Sequence, residues 1–369
     1  MSVKHFGFVG FGLIGGSIAR ALKAFVKETP TITAFQYGDK PSRSLSLAKE
    51  DGVLDTITTC LADFAACDMI FLCAPVQKNI EYLTQLKDII SPSCLLTDVG
   101  SVKGNIHQKV KELGLEHCFI GGHPMTGSEK TGYEHSSTIL LENAYYILTP
   151  TTLTKPAALD FYTALVKTMG SIPIVLNPEE HDTITAAISH VPHIIAAQLV
   201  NLIQTAGPLE PKMRQLAAGG FKDITRIASS SPEIWENICM SNKESICTML
   251  TRYQESLEEA KHMILSNNTN DLYHMFDAAG NYRDSIPANS KGALMSSFEL
   301  FVDIKDETGA LALLATLLSL HGISIKNIGI IHNREFEQGV LRIEFYDKEA
   351  VAKATKVLDT NGYHIYLRT

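Results

Sequence analysis

No two cysteines in this chain stand in a Cys-x-x-Cys spacing, and the seven present (Cys60, Cys67, Cys73, Cys94, Cys118, Cys239 and Cys247) are scattered and odd in number. This excludes a disulfide framework or a zinc site as the organising feature and points to free thiols in a reducing compartment. Positive charge is also scarce. A formal net charge of −8 argues against nucleic acid or an anionic membrane surface as main partner, since both reward basic surfaces. An anionic substrate would need a local cationic pocket. No run approaches the ~20 apolar residues of a membrane helix, and the apolar N-terminal stretch lacks the small-residue cleavage pattern of a signal peptide. The expectation is a cytoplasmic protein with no membrane, nucleic-acid or metal partner.

What is present is an ordinary globular composition, 45% hydrophobic and 20% charged. The 369 residues exceed the ~250–300 at which one hydrophobic core stops growing, so two or three domains are expected. The first is organised around Gly10-Phe11-Gly12-Leu13-Ile14-Gly15-Gly16-Ser17. An apolar run, His5 to Val9, precedes it, and apolar positions at helical spacing follow. This is the strand, glycine turn and helix of a dinucleotide-binding unit. Gly10 makes the tight turn, Gly12 lets backbone approach a pyrophosphate, and Gly15 lets the helix pack on the strand. Leu13 and Ile14 open the helix whose N–H groups face the phosphates.

A second strand is read at Thr31 to Asp39. The acid that holds the adenosine ribose of NAD belongs about twenty residues past the third glycine. Asp39 is assigned there, although Gln36 can occupy that place, and Lys40, Ser42 and Arg43 stand close enough to hold a 2′-phosphate. NAD is the expected cofactor, with NADP left open. Further strand-like runs, Met69 to Ala74, Cys94 to Val99, Cys118 to Gly122 and Tyr145 to Thr149, alternate with helical segments, the pattern of a parallel, doubly wound Rossmann sheet over residues 1–172. Ligands in such sheets bind beyond the carboxyl ends of the strands. Three strand ends qualify: Ala74-Pro75, against the dinucleotide; Ser101 with Lys103, a hydroxyl and an ammonium; and His123, which follows two glycines and leads Ser128, Glu129 and Lys130. His123 is the expected catalytic base.

Residues 173–290 read as a helical domain that also makes a dimer, with long helices over Thr183 to Gln204 and Trp235 to Leu265, the first apolar on most sides. His190 and His193 share a helix face if Pro192 does not break the turn. Lys222 and Arg226, at i and i+4 with Asp223 beside them, form a cationic cluster, and the guanidinium fork suits bidentate capture of a carboxylate. Past a polar linker, residues 298–369 follow the order β-α-β-β-α-β of a small ferredoxin-like unit.

Gly10–Ser17, Thr97–Gly104, Gly121–Gly132, Ser189–His193 and Gly219–Ala228, in that order, resemble the bacterial prephenate dehydrogenases that carry a C-terminal ACT domain, and the resemblance spans essentially the whole chain. It implies NAD-dependent oxidative decarboxylation of prephenate to 4-hydroxyphenylpyruvate in tyrosine biosynthesis. It implies that His123 accepts the proton of the ring hydroxyl, that Ser101 orients the imidazole and touches the same hydroxyl, and that Arg226 binds the ring carboxylate. His190, His193, Lys222 and Asp223 would line or support the pocket, with Ser128 and Glu129 on the loop after His123. The start at Met1 is read as leaving no fused chorismate mutase. Tyrosine is the expected effector, at Asp306, Gly309 and Asn327. Arogenate or broad cyclohexadienyl dehydrogenation, a 6-phosphogluconate-type or imine reductase, and a non-catalytic amino-acid sensor are the alternative readings.

Overall fold

In the computed structural model of the chain, the described residues are 3–127, 130–286, 298–304, 307–331 and 339–366. The chain divides into two units, residues 1–292 and 293–369.

The first unit begins with β1 (His5–Val9), α1 (Leu13–Phe25), β2 (Thr31–Phe35), α2 (Arg43–Glu50), β3 (Thr56–Thr58), β4 (Met69–Leu72), α3 (Val76–Leu86) and β5 (Leu95–Asp98). The five strands form a parallel sheet in the order β3-β2-β1-β4-β5. Strands buried on both faces read as continuous apolar runs, and Met69 to Leu72 is buried throughout. Phe6, Phe8 and Phe71 stack on one face beneath α1. Val9, Ile70, Leu72 and Leu96 fill the other face beneath α3 and α4 (Gly104–Leu113).

After α4 come β6 (Ile120–Pro124), β7 (Tyr145–Pro150), α5 (Pro156–Thr168) and β8 (Ile172–Val175). Here the sequence expectation of a wholly parallel sheet is corrected. β6 runs antiparallel to β7, and β7 parallel to β8, in a three-stranded sheet of their own. A single bridge, Leu96 to Phe119, joins it to the edge of β5. Alternating strand and helix signals do not encode direction; the long loop between β6 and β7 lets the chain double back.

The helical part contains α6 (Pro178–Thr185), α7 (Val191–Gln204), α8 (Glu210–Leu216), α9 (Gly219–Thr225), α10 (Pro232–Ser241), α11 (Lys243–Leu265) and α12 (Thr269–Ser285). Asn177 caps α6 with a reciprocal capping box to Glu180. A wider π-turn, Ala186–His190, joins α6 to α7, so Pro192 falls in the first turn of α7 and does not interrupt the chain of helix. The single helix expected over Trp235 to Leu265 is instead broken at Asn242. Taken together, Pro178–Gln204 is 27 residues long and apolar enough by length and composition to cross a bilayer, which the sequence expectation of no such run missed. Its buried face carries His181, Asp182, Thr185 and His190 against protein, groups that lipid would penalise.

The second unit is β9 (Phe298–Ile304), α13 (Ala310–Leu320), β10 (Ile325–Ile331), β11 (Gly339–Phe345), α14 (Lys348–Thr360) and β12 (Ile365–Tyr366). Its four strands make an antiparallel sheet in the order β10-β11-β9-β12. Leu300, Val302, Leu314, Leu318, Leu341 and Leu358 lie in its core.

Candidate active site

The glycine turn closes on the start of α3. Gly10 has φ +86°, and a Cβ there would lie 2.6 Å from the Ala74 nitrogen, so only glycine combines this backbone with this contact. Ala74 donates its N–H to Asn79 Oδ1 at 3.1 Å, and Asn79 Nδ2 donates to the Leu72 carbonyl at 3.1 Å. Gly10 and the Ala74-Pro75 turn are thereby brought together. A Cβ at Gly12 meets nothing within 4 Å. Gly12 caps α1 without a side-chain hydrogen bond, and the first turn holds no acid. An open approach to uncapped helical N–H groups fits a pyrophosphate.

At the end of β2, Gln36 and Asp39 stand in different surroundings. Gln36 is the first residue past the strand; it is buried and donates Nε2–H to the Gly38 carbonyl at 2.8 Å. Asp39 lies three residues further on, exposed beyond the shorter observed strand.

Beyond β5, Lys103 is corrected from a cleft ammonium to a fully buried strut. Its Nζ pairs with Asp98 and donates to the Gly122 carbonyl at 2.7 Å. Burial lowers the Lys103 pKa, and Asp98 opposes the change. The two glycines before His123 make room for this packing. A Cβ on Gly121 would strike Thr149 Oγ1, and one on Gly122 would lie 2.7 Å from the Asp98 carbonyl oxygen. Ser101 sits partly buried in the turn after β5, and no hydrogen bond joins it to His123 among the described residues.

His123, on β6 opposite Ile147, is held instead by a partner from α6. Its Nδ1 lies 2.8 Å from His181 Nε2, and His181 Nδ1 lies 2.7 Å from Asp182 Oδ1. Asp182 also receives the backbone N–H groups of Lys103 and Gly104, each at 2.7 Å, at the start of α4. Although part of the His123 ring reaches solvent, the protein packed around it is the largest influence on its pKa. With the neighbouring His181, Lys103 and His190 it pushes the imidazole well below its ordinary range.

His190 is buried, with Nδ1 3.1 Å from Asn242 Nδ2, and burial depresses it to about 4. Asn242 Nδ2 also donates to the Asp182 carbonyl at 2.8 Å, so the break between α10 and α11 closes on the base of the site. Trp235 stacks on His193 at 3.8 Å between ring centroids and meets His190 edge-on at 6.1 Å. His193 Nδ1 donates to the Ser189 carbonyl at 2.9 Å. Burial is the largest cause lowering the His193 pKa, and the Arg226 charge adds to it. Arg226 does not continue α9, as the i to i+4 expectation required: α9 ends at Thr225 and Arg226 opens a 3₁₀ turn, Arg226–Ser229. Lys222, Asp223 and Arg226 are exposed. Ser128 and Glu129 lie outside the described residues.

The structure thus brings His123, His190, His193 and Arg226 into one connected neighbourhood. The sequence sets the adjacent His181-Asp182 pair apart as a polar break in an apolar helix, of the kind that lines a pocket or is satisfied in a core, without assigning it to the site; Trp235 and Asn242 carried no signal.

In the C-terminal unit, Asn327 lies exposed on β10, where its Oδ1 accepts the Ile328 N–H at 2.8 Å. Gly309 caps α13 with φ +92°, and Asp306 lies outside the described residues.

Two family models match: prephenate dehydrogenase, nucleotide-binding domain, at residues 18–175, and prephenate dehydrogenase, dimerization domain, at residues 177–278. A prephenate dehydrogenase of Bacillus subtilis is 34% identical over 355 residues, covering 96% of this chain and 95% of the relative. Among solved structures, prephenate dehydrogenase from A. aeolicus in complex with hydroxyphenyl propionate and NAD+ matches with TM-score 0.72 and 32% identity, over 78% of this chain and 99% of that one. A Synechocystis arogenate dehydrogenase matches with TM-score 0.69 and 28% identity, over 77% and 100%. With a nucleotide turn, a partly buried histidine at a strand end and a helical partner packed against it, the chain belongs to the prephenate dehydrogenase family.

Proposed function

We propose that the protein catalyses NAD-dependent oxidative decarboxylation of prephenate to 4-hydroxyphenylpyruvate. The observation that carries this reading is His123: an imidazole kept neutral, tied at Nδ1 to His181 and carried at the end of β6, which lies along the β5 edge of the nucleotide-binding sheet. His123 accepts the proton of the ring hydroxyl while the carbon that bore it gives up hydride. Bound NAD supplies the acceptor for that hydride. As the carbonyl forms, the bond to the ring carboxylate breaks, carbon dioxide leaves, and its electron pair makes the ring aromatic. A positioned base contributes typically ~10²–10⁴-fold.

Arg226 takes the ring carboxylate in its guanidinium fork, with His190, His193, Lys222, Asp223, Ser128 and Glu129 as the surrounding pocket and Ser101 at the reacting hydroxyl. Gly10, Gly12, Leu13, Ile14, Gly15, Ala74 and Pro75 hold the dinucleotide, and Gln36 rather than Asp39 faces its ribose. Domain limits of 1–172, 173–290 and 298–369 are proposed for the three parts. A homodimer through the helical part is supported by the dimerization-domain match and by exposed apolar side chains such as Ile188, Leu202 and Ile224. The C-terminal unit is proposed as an ACT domain that takes tyrosine; truncation before residue 298 should abolish tyrosine inhibition, and retained inhibition would place tyrosine at the active site.

The deciding assay is NADH formation on addition of prephenate, run in parallel with arogenate. Turnover with prephenate is expected. Turnover with arogenate alone would replace the substrate, and turnover with neither would remove the enzyme reading.

A further inference from the structure

The hydrogen bonds around His123 form a directed chain that begins on α6. The Asp182 carboxylate faces three nitrogens: two backbone N–H groups and His181 Nδ1, each at 2.7 Å. An ionised carboxylate only accepts, so the neutral His181 ring carries its proton on Nδ1. Its Nε2, 2.8 Å from His123 Nδ1, is then a lone pair, and His123 Nδ1 must be the donor. His123 Nε2 is left unprotonated, and no described protein group hydrogen-bonds to it. We propose that His181 is a positioning residue for the reaction, passing the preference of the Asp182 carboxylate through two imidazoles to hold His123 in the tautomer whose Nε2 accepts a proton.

The inference rests on His123 being the base of the proposed reaction. His181 is fully buried, its ring 5.0 Å from that of His123 between centroids. Without an acceptor at Nδ1, His123 is free to place its proton on Nε2, where it blocks the reaction; a misplaced tautomer accounts for a loss of ~10⁴-fold in the Ser-His-Asp case. The charged groups facing the pair are Lys103, Asp98 and Asp182, with His190 as the further titratable neighbour. Lys103 is already neutralised by Asp98. When His123 becomes an imidazolium, its Nδ1–H bond to His181 becomes charge-assisted, and the Asp182 carboxylate lies one ring away.

The test compares His181→Leu with His181→Gln in the full chain. A glutamine offers Oε1 to His123 and an N–H to Asp182; a leucine of similar bulk offers neither. The leucine variant should lose about 10²-fold or more in kcat with KM for prephenate and NAD within a few-fold. The glutamine variant should recover activity to within about 10-fold of the parent chain. The acid limb of the kcat profile should move to lower pH in the leucine variant, because the lost acceptor favoured the imidazolium by more than the neighbouring His181 ring opposed it. Equal losses in both variants, or a leucine variant with the parent turnover and pH profile, would overturn the proposal. Should the leucine variant not fold, ring nitrogen-15 shifts of the parent chain, with the His123 signal identified by its loss in His123→Asn, decide instead: a protonated His123 Nε2 sinks the inference. If the parent chain turns prephenate over and His123→Asn does so equally well, it is the base assignment that has failed.

Discussion

The nucleotide-binding part and the helical part deal with apolar surface in opposite ways. In the first, Phe6, Phe8, Ile18, Leu72 and Leu96 are sealed between the sheet and its helices, and buried polar groups such as Asp98, Lys103 and Thr97 pair within the same region. In the second, among the described residues, Ala186, Val191 and Ile246 form a small buried apolar cluster, while Leu202 and Leu216 are 65% and 77% exposed. One region completes its core with its own chain. The other uses its buried face for Asp182 and His181, which dock on the first region, and for His190, which meets Asn242 and Trp235, and leaves its apolar side for another surface. The proposed catalytic geometry sits on the seam: His123, the proposed base, comes from the self-contained sheet, and the groups proposed to orient it and the substrate come from the helices.

The sharpest way to separate the two contributions is to remove one group from each. His123→Asn should lower kcat by about 10²–10⁴-fold with prephenate KM little changed, measured by steady-state NADH formation. Near-parent turnover would take the chemistry away from the sheet. Arg226→Ala should act mainly on KM, raising it by about 10-fold or more, since a charge-assisted hydrogen bond to the bound carboxylate is worth about 1.5–3 kcal/mol. An unchanged KM would move the carboxylate contact off the helical part.

Within the nucleotide region two glycines should divide stability from binding. Gly10→Ala is expected to destabilise the fold by about 1–3 kcal/mol, because its φ is +86° and its Cβ meets the Ala74 backbone; the readout is the thermal midpoint. Gly12→Ala, with open space around the new methyl, should keep the midpoint and weaken NAD binding in a titration. The reverse result would mean that Gly12 faces no ligand.

A comparable effect, spread over several pH units, touches both regions. Burial holds His107 in the sheet region and His190 in the helical region at about 4, below the ordinary 6.5. As pH falls, the unfolded chain takes up protons that these folded rings refuse. Their contribution to stability is therefore full above about pH 6.5 and is lost progressively toward pH 4, of order 3 kcal/mol for His190. Denaturation midpoints between pH 7 and 4.5 should fall accordingly, and His190→Gln should flatten part of that fall.

Local chemistry was legible in the residues. Gly10 stands in the tight turn expected of it and Gly12 where space is left open, the apolar runs at Met69 and Leu95 became strands, and His123 emerged at a strand end. The strand at Thr56–Thr58 was not anticipated, since three residues carry too little pattern. The direction of β6, the shortness of β2 and the break at Asn242 were likewise decided by pairing partners distant in the chain.

By itself, then, the sequence determined which short stretches carry chemistry, because turn geometry, helix capping and side-chain pKa type are properties of a few neighbouring residues. Tertiary structure alone decided how they are combined. It placed Gln36 rather than Asp39 at the strand end, turned Lys103 inward to Asp98, and set His181 behind His123 across 58 residues of chain. These outcomes depend on which groups are desolvated together, and desolvation is a property of the packed whole.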